Sequence, residues 1–256
     1  AHAPTLATRG NLNNEFGVPL TLLRLAPEHA LAVVEMGMNH RGEIARLAAI
    51  ASPTIGIVTN IGTAHIEHLG SREAIADEKG DLFAALPATG TACVNLDDER
   101  VVAQARRAPC PSLGYGRTPE AAVTARDVRF EAGRFAFRLV APEASCETSV
   151  RGLSETAVIN ALAATAVGIA AGVPLAAIER GLAAYRPIRG RMTPVPLATY
   201  MKPFGPPNVM PRGRNNAGLS PPWSTTTPSG KPSKIDGKPE FGPRYLSTLW
   251  FWLLVT

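Results

Sequence analysis

The sequence is poor in several things, and each shortage excludes a class of protein. Among 256 residues there are three cysteines, Cys93, Cys110 and Cys146. They lie far apart, no pair has metal-ligand or redox spacing, and their number is odd. A reducing compartment without a disulfide framework is expected, hence a cytoplasmic setting. No run of about 18 apolar residues occurs, so no membrane span is expected. The opening Ala-His-Ala-Pro-Thr has no basic segment followed by an apolar core, so no secretion signal is read there, and no initiator methionine precedes it. No G-x-x-x-x-G-K-[ST] occurs anywhere; Gly230-Lys231-Pro232 fails because Pro232 follows the lysine and the upstream glycine is missing. Internal repeats are also lacking.

Charge of one sign is scarce in most of the chain. The formal net charge of +5 would suit a nucleic-acid partner. Residues 199–256, however, carry seven Lys/Arg and two Asp/Glu, whereas residues 1–198 carry nineteen of each sign. The excess therefore belongs to the last 58 residues, which also hold ten of the 23 prolines and all three tryptophans. The neutral body gives no reason to invoke nucleic acid. An apolar content of 45% is ample for a core, and the length suits one or two domains.

What is present alternates. Leu31–Met36 is a short apolar run followed by Gly37, and it reads as a buried parallel strand. Ile44, Leu47, Ala48 and Ala51 lie at helical spacing within residues 42–51. Thr54–Asn60 reads as a second strand. Ser71 caps a helix whose stripe runs through Ile75, Leu82 and Leu86, and Thr91–Leu96 is a third strand. Asp97 is expected to cap a helix reaching about Arg107. Strand–helix alternation predicts an α/β fold with a mostly parallel sheet flanked by helices. Residues 121–150 change pattern and predict an antiparallel hairpin turning at Ala132-Gly133. Helices are expected from about Ser154 to Ala171 and from about Leu175 to Tyr185. The tail offers Pro/Gly/Ser-rich loops, and its apolar close, Leu246–Val255, is too short to span a bilayer.

In open α/β sheets ligands bind outside the carboxyl ends of the strands. That rule selects Glu35, at the end of the first strand, as a candidate ligand for Mg2+, which prefers hard oxygens. It is equally an ordinary strand-end acid. His65, in the loop after the second strand, reads alone as a surface residue more often than as a ligand. Lys79, on the following helix, is either a solvated lysine or an amine of lowered pKa able to take up CO2 as a carbamate. Thr8, Asn11, Asn13 and Asn14 lie in a loop whose side-chain amides suit a polar, peptide-like ligand, and equally form a turn cluster.

The stretches Thr8–Leu25, Val34–Ala45, Thr59–Gly70 and Ile75–Phe83, with Ile159-Asn160-Ala161-Leu162-Ala163-Ala164 and Gly190-Arg191-Met192, together closely resemble the Mur ligase family. Their order and spacing agree over about residues 5–197. The asparagine-rich loop leading into Gly-Val-Pro-Leu-Thr is most similar to the members that add D-alanyl-D-alanine. The resemblance implies an ATP-dependent amide ligase that joins D-alanyl-D-alanine to UDP-N-acetylmuramoyl-tripeptide, with ATP and Mg2+ as cofactors, acting as a monomer. It implies that Glu35 binds magnesium and that His65 ligates a second magnesium. Lys79 would be carbamylated to help place that second ion. Asn160 and Arg191 resemble nucleotide-contacting residues, and Thr8, Asn11, Asn13 and Asn14 lie toward the muramoyl-peptide side.

Family members have three domains, and residues 1–197 resemble only the central one, without its phosphate loop. A histidine common in the family is replaced in the Thr156 region. Residues 198–256 are expected to be a disordered extension or the product of a shifted reading frame. An inactive ligase fragment and a non-catalytic binding module descended from one are both compatible with this pattern. A missing central strand would leave unpaired edges, so low stability and aggregation are expected.

Overall fold

A computed structural model describes residues 2–64, 66–187 and 254–255, the last pair as backbone. The expected α/β architecture is present. The main sheet contains β1 (Thr5–Ala7), β2 (Leu31–Val33), β3 (Ile55–Val58), β4 (Thr91–Asn95), β5 (Ser112–Tyr115) and a short β9 (Leu254–Val255). The helices are α1 (Gly17–Leu22), α2 (Glu43–Ala51), α3 (Ile66–Leu69), α4 (Arg72–Ala84), α5 (Glu99–Ala105), α6 (Thr156–Ala170) and α7 (Leu175–Ala184). A second sheet is formed by β6 (Thr124–Glu131), β7 (Arg134–Val140) and β8 (Ser145–Arg151).

The strand order is β1-β2-β9-β3-β4-β5. β1 runs parallel to β2, and β3, β4 and β5 are mutually parallel. β9 lies antiparallel between β2 and β3, with Val255 opposite both Val33 and Ile55. The place where the sequence predicts unpaired edges is therefore spanned by Leu254–Val255. The remainder of the tail, including the predicted disorder or frame shift, lies outside the described residues.

All four residues of β3 are buried, as expected of a strand covered on both faces. Alternate residues of each strand feed different cores. Val58, Ala92 and Val94 pack with Ile44, Leu47, Leu82 and Phe83 of α2 and α4. Ile55, Ile57 and Cys93 pack with Phe137 and Leu139 of β7 and with Val158, Leu162 and Ala166 of α6. Burial also pushes the Cys93 thiol up to about 12, so this cysteine is an inert core residue.

Several boundaries differ from the sequence reading. β2 ends at Val33, so Glu35 lies in the segment beyond the strand. The cap of α5 is Asp98, whose Oδ1 accepts from the Arg100 and Val101 amides, and the helix stops at Ala105. β1, α1, α3, β5 and β8 lack the length or periodicity that would announce them. β8 pairs antiparallel with β7 along its whole length, so the predicted hairpin is a three-stranded sheet.

Two local features fix the segment after β2. Gly42 precedes α2 at φ +79, a conformation that costs glycine nothing. The Gly42 amide then donates to Glu78 Oε2 at 2.7 Å, and the Ile44 amide donates to Glu78 Oε1 at 2.8 Å. Glu78, only 4% exposed, thus reaches from α4 to satisfy free amides at the start of α2. Glu78→Gln keeps the shape but sets an amide group against a backbone N–H. A loss of about 1–3 kcal/mol is expected in urea unfolding, and an unchanged midpoint would refute this role.

Candidate functional site

The carboxyl ends of the strands carry the polar groups. Glu35 lies two residues past β2. Its amide donates to Thr8 Oγ1 at 2.8 Å, and its Oε1 accepts from Asn13 Nδ2 at 2.8 Å. Thr8 sits just beyond β1, and its own amide donates to the Val33 carbonyl, which continues the ladder. The two strands thereby deliver Thr8 and the acid to the same place.

Lys79 lies in the middle of α4 and is 2% exposed. Its Nζ donates to the Asn60 carbonyl at 2.9 Å, just past the end of β3. Burial lowers its pKa to about 6, against an opposing pull from Asp98. Near neutral pH the amine is therefore largely uncharged, the form that is nucleophilic toward CO2.

Asp98 and Asn95, at the end of β4, brace the same rim. Asp98 Oδ2 accepts from the Ile61 amide at 2.7 Å, and Asn95 Nδ2 donates to the Thr59 carbonyl at 2.7 Å. The sequence reading places Asn95 at the end of the third strand and reads Asp97 as the cap of the next helix, and it assigns no site role to Asn95 or Asp98. Its position after a third strand, under the rule that selected Glu35, is the signal that could have found these two residues. Asn60 Oδ1 is buried and has no hydrogen-bond partner among the described residues.

Two cavities adjoin this rim. One, of about 300 Å³, is lined by Thr59, Asn60, Asn95, Glu155, Thr156 and Asn160. The other, of about 370 Å³, is mainly apolar and includes Ile57, Gly152, Leu182 and Tyr185. Thr59, Thr156 and Asn160 line both. Asn160, on the first turns of α6, therefore faces space of ligand size.

The structure thus brings Glu35, Lys79 and Asn160 to the carboxyl side of the main sheet. His65 and Arg191 lie outside the described residues. Of the loop residues, Thr8 and Asn13 hold Glu35, and Asn14 Oδ1 accepts from the Phe16 and Gly17 amides at the start of α1. Asn11 is exposed. Among the described residues no group of three or more His, Cys, Asp and Glu is arranged to hold a metal. The donors present at the rim are nevertheless oxygens, Glu35 and the unsatisfied Asn60 Oδ1, which suit a hard divalent cation.

Comparison with known proteins gives consistent matches. The profile of the Mur ligase middle domain matches residues 1–168. The UDP-N-acetylmuramoyl-tripeptide–D-alanyl-D-alanine ligase of Escherichia coli K12 is 37% identical over 202 residues, covering 76% of this chain and 43% of that protein. The ligase of the same name from Synechocystis is 55% identical over 100 residues, covering 39% of this chain and 22% of that protein. A crystal structure of MurF from Acinetobacter baumannii superposes with a TM-score of 0.70 at 35% identity, over 75% of this chain and 42% of that one. MurF from Thermotoga maritima in complex with ADP shares the fold, with a TM-score of 0.65 at 24% identity, over 74% of this chain and 44% of that one. The chain spans less than half the length of these relatives.

The Lys79 environment has a measurable consequence. The unfolded chain keeps the lysine proton up to the ordinary value of 10.5, whereas the folded chain sheds it near 6. Between those limits the unfolded state binds more protons, so this residue makes stability rise with pH. Lys79→Met is expected to flatten the rise in urea midpoint from pH 6.5 to 9.5. An identical slope in wild type and variant would contradict the assignment.

Proposed function

The chain belongs to the Mur ligase family, and from that membership we propose that it is part of a cytoplasmic, ATP-dependent ligase that adds D-alanyl-D-alanine to UDP-N-acetylmuramoyl-tripeptide. The observation that supports this most directly is the buried amine of Lys79, held at the end of β3 with its pKa lowered to about 6. A solvated helix lysine has no reason to be so placed. An amine kept neutral can attack CO2, forming an N–C bond and releasing a proton, and the carbamate so made is an anionic oxygen ligand where a neutral amine had stood.

In the proposed reaction the terminal carboxylate of the tripeptide attacks the γ-phosphorus of ATP, and ADP leaves. The amine of D-alanyl-D-alanine then attacks the acyl carbon, the new amide forms, phosphate departs and the amine loses a proton. Mg2+, when bound, supplies positive charge against the crowded phosphate oxygens. Glu35 would hold one such ion, and His65 with carbamylated Lys79 a second. Asn160 and Arg191 would contact the nucleotide, and the Thr8–Asn14 loop would lie toward the muramoyl-peptide. Most of the catalysis expected of such a site is positioning and electrostatic stabilisation. The sequence has no phosphate-cradling loop, so the chain taken alone is proposed to be inactive.

The test is a chimera in which residues 5–187 replace the matching stretch of the E. coli relative. Phosphate release is expected only with both substrates present, and Glu35→Ala should reduce it by on the order of a hundredfold. A chimera indifferent to that substitution would overturn the reading.

A further inference from the structure

We propose that Asn13 is a positioning residue for Glu35: its side-chain amide fixes one oxygen of the carboxylate and leaves the other to a divalent cation. The inference rests on the reading of Glu35 as a cation ligand and goes beyond it, since Asn13 would act on the cation only through Glu35.

Four contacts make the arrangement a built one. Asn13 Nδ2 donates to Glu35 Oε1 at 2.8 Å. The Asn13 carbonyl accepts from the Gly37 amide at 2.7 Å, which locks the asparagine to the backbone two residues past the acid. The Asn13 amide in turn donates to the Asn11 carbonyl at 2.8 Å, so its own backbone is held within the loop. Thr8 Oγ1 takes the Glu35 amide at 2.8 Å, so backbone and carboxylate are both constrained. Gly37 is what admits the asparagine: a Cβ there would stand 2.9 Å from Asn13 Cγ and Nδ2, closer than Cβ atoms are found.

The chemistry of the donor matters as much as its place. Glu35 lies beyond the end of β2 and is not held by the strand ladder, so its side-chain torsions are fixed only by what touches it. A lysine or arginine would fix it too, but would neutralise the charge that attracts a cation. An amide fixes it while leaving the full negative charge. Among the described residues no ion pair involves Glu35. Neutral partners that orient a metal-ligating carboxylate typically contribute a factor of about 10–100 to metal affinity.

Binding of Mn2+ to the full 256-residue chain, followed by electron paramagnetic resonance, tests this. Glu35→Gln should abolish binding. Asn13→Leu, of similar size but without a donor, should weaken it about tenfold or more and alter the spectrum of the bound ion. Gly37→Ala leaves the Asn13 amide in the sequence but forces it aside, and should do the same, which keeps the test open if Asn13→Leu fails to fold. Thermal melts of both variants should stay close to wild type. If both bind Mn2+ as tightly as wild type while Glu35→Gln does not, the positioning role falls and the cation reading stands. If wild type does not bind Mn2+, or Glu35→Gln binds as wild type does, the cation reading itself falls.

Discussion

A parallel sheet covered on both faces leaves its strands one place to meet water and ligand, the edge where they end. Here Val58, Ala92 and Val94 are committed to one core and Ile55, Ile57 and Cys93 to the other. A charged group in either layer would be costly to desolvate. Chemistry is thereby pushed to the strand ends and beyond, to Thr8 after β1, Glu35 after β2, Asn60 after β3, Asn95 as the last residue of β4 and Asp98 after it. The right-handed crossovers expected between such strands return the chain to the same side each time, so segments distant in sequence converge on one rim.

Neighbouring residues of α4 show how strictly that rim is organised. Glu78 and Lys79 are both buried in the same helix, one an acid and the next a base, yet they do not serve each other. Glu78 turns to the amides that open α2, and Lys79 turns to the carbonyl that closes β3. The first contact anchors the loop that carries Glu35, and the second presents an uncharged amine at the edge. The stability of the loop after β2 and the reactivity of the site thus both depend on α4, which is packed in the core and begins at Ser71, whose Oγ caps it through the Ala74 amide at 3.1 Å.

Much of this was legible beforehand, and the reasons are physical. β3 and β4 announce themselves because double burial demands a continuous apolar run, and α4 and α6 because their lengths give several turns of repeat. The strand-end rule singled out Glu35, Lys79 stood as either a solvated lysine or a reactive amine until the family resemblance gave it a role, and that resemblance added Asn160. Short elements such as β1 and α3 carry too few residues for any periodicity to emerge. From the sequence Asn13 suits a peptide-like ligand or a turn cluster equally, because a side-chain amide in a loop advertises hydrogen bonds without saying to whom. Its partner is 22 residues away, and only the pairing of β1 with β2 brings the two together.

The division follows from the range over which each interaction acts. The amino-acid order by itself determined the alternation of strands and helices, the neutral body with its basic, proline-rich end, and the absence of a phosphate-cradling motif, all of which are set by local pattern or composition. Which polar side chain faces which was decided only by the tertiary structure. Burial, not sequence context, lowers the Lys79 pKa, and the close approach of the Gly37 backbone places the Asn13 amide that holds Glu35. Desolvation and contact geometry are properties of the packed chain, and no reading along one dimension contains them.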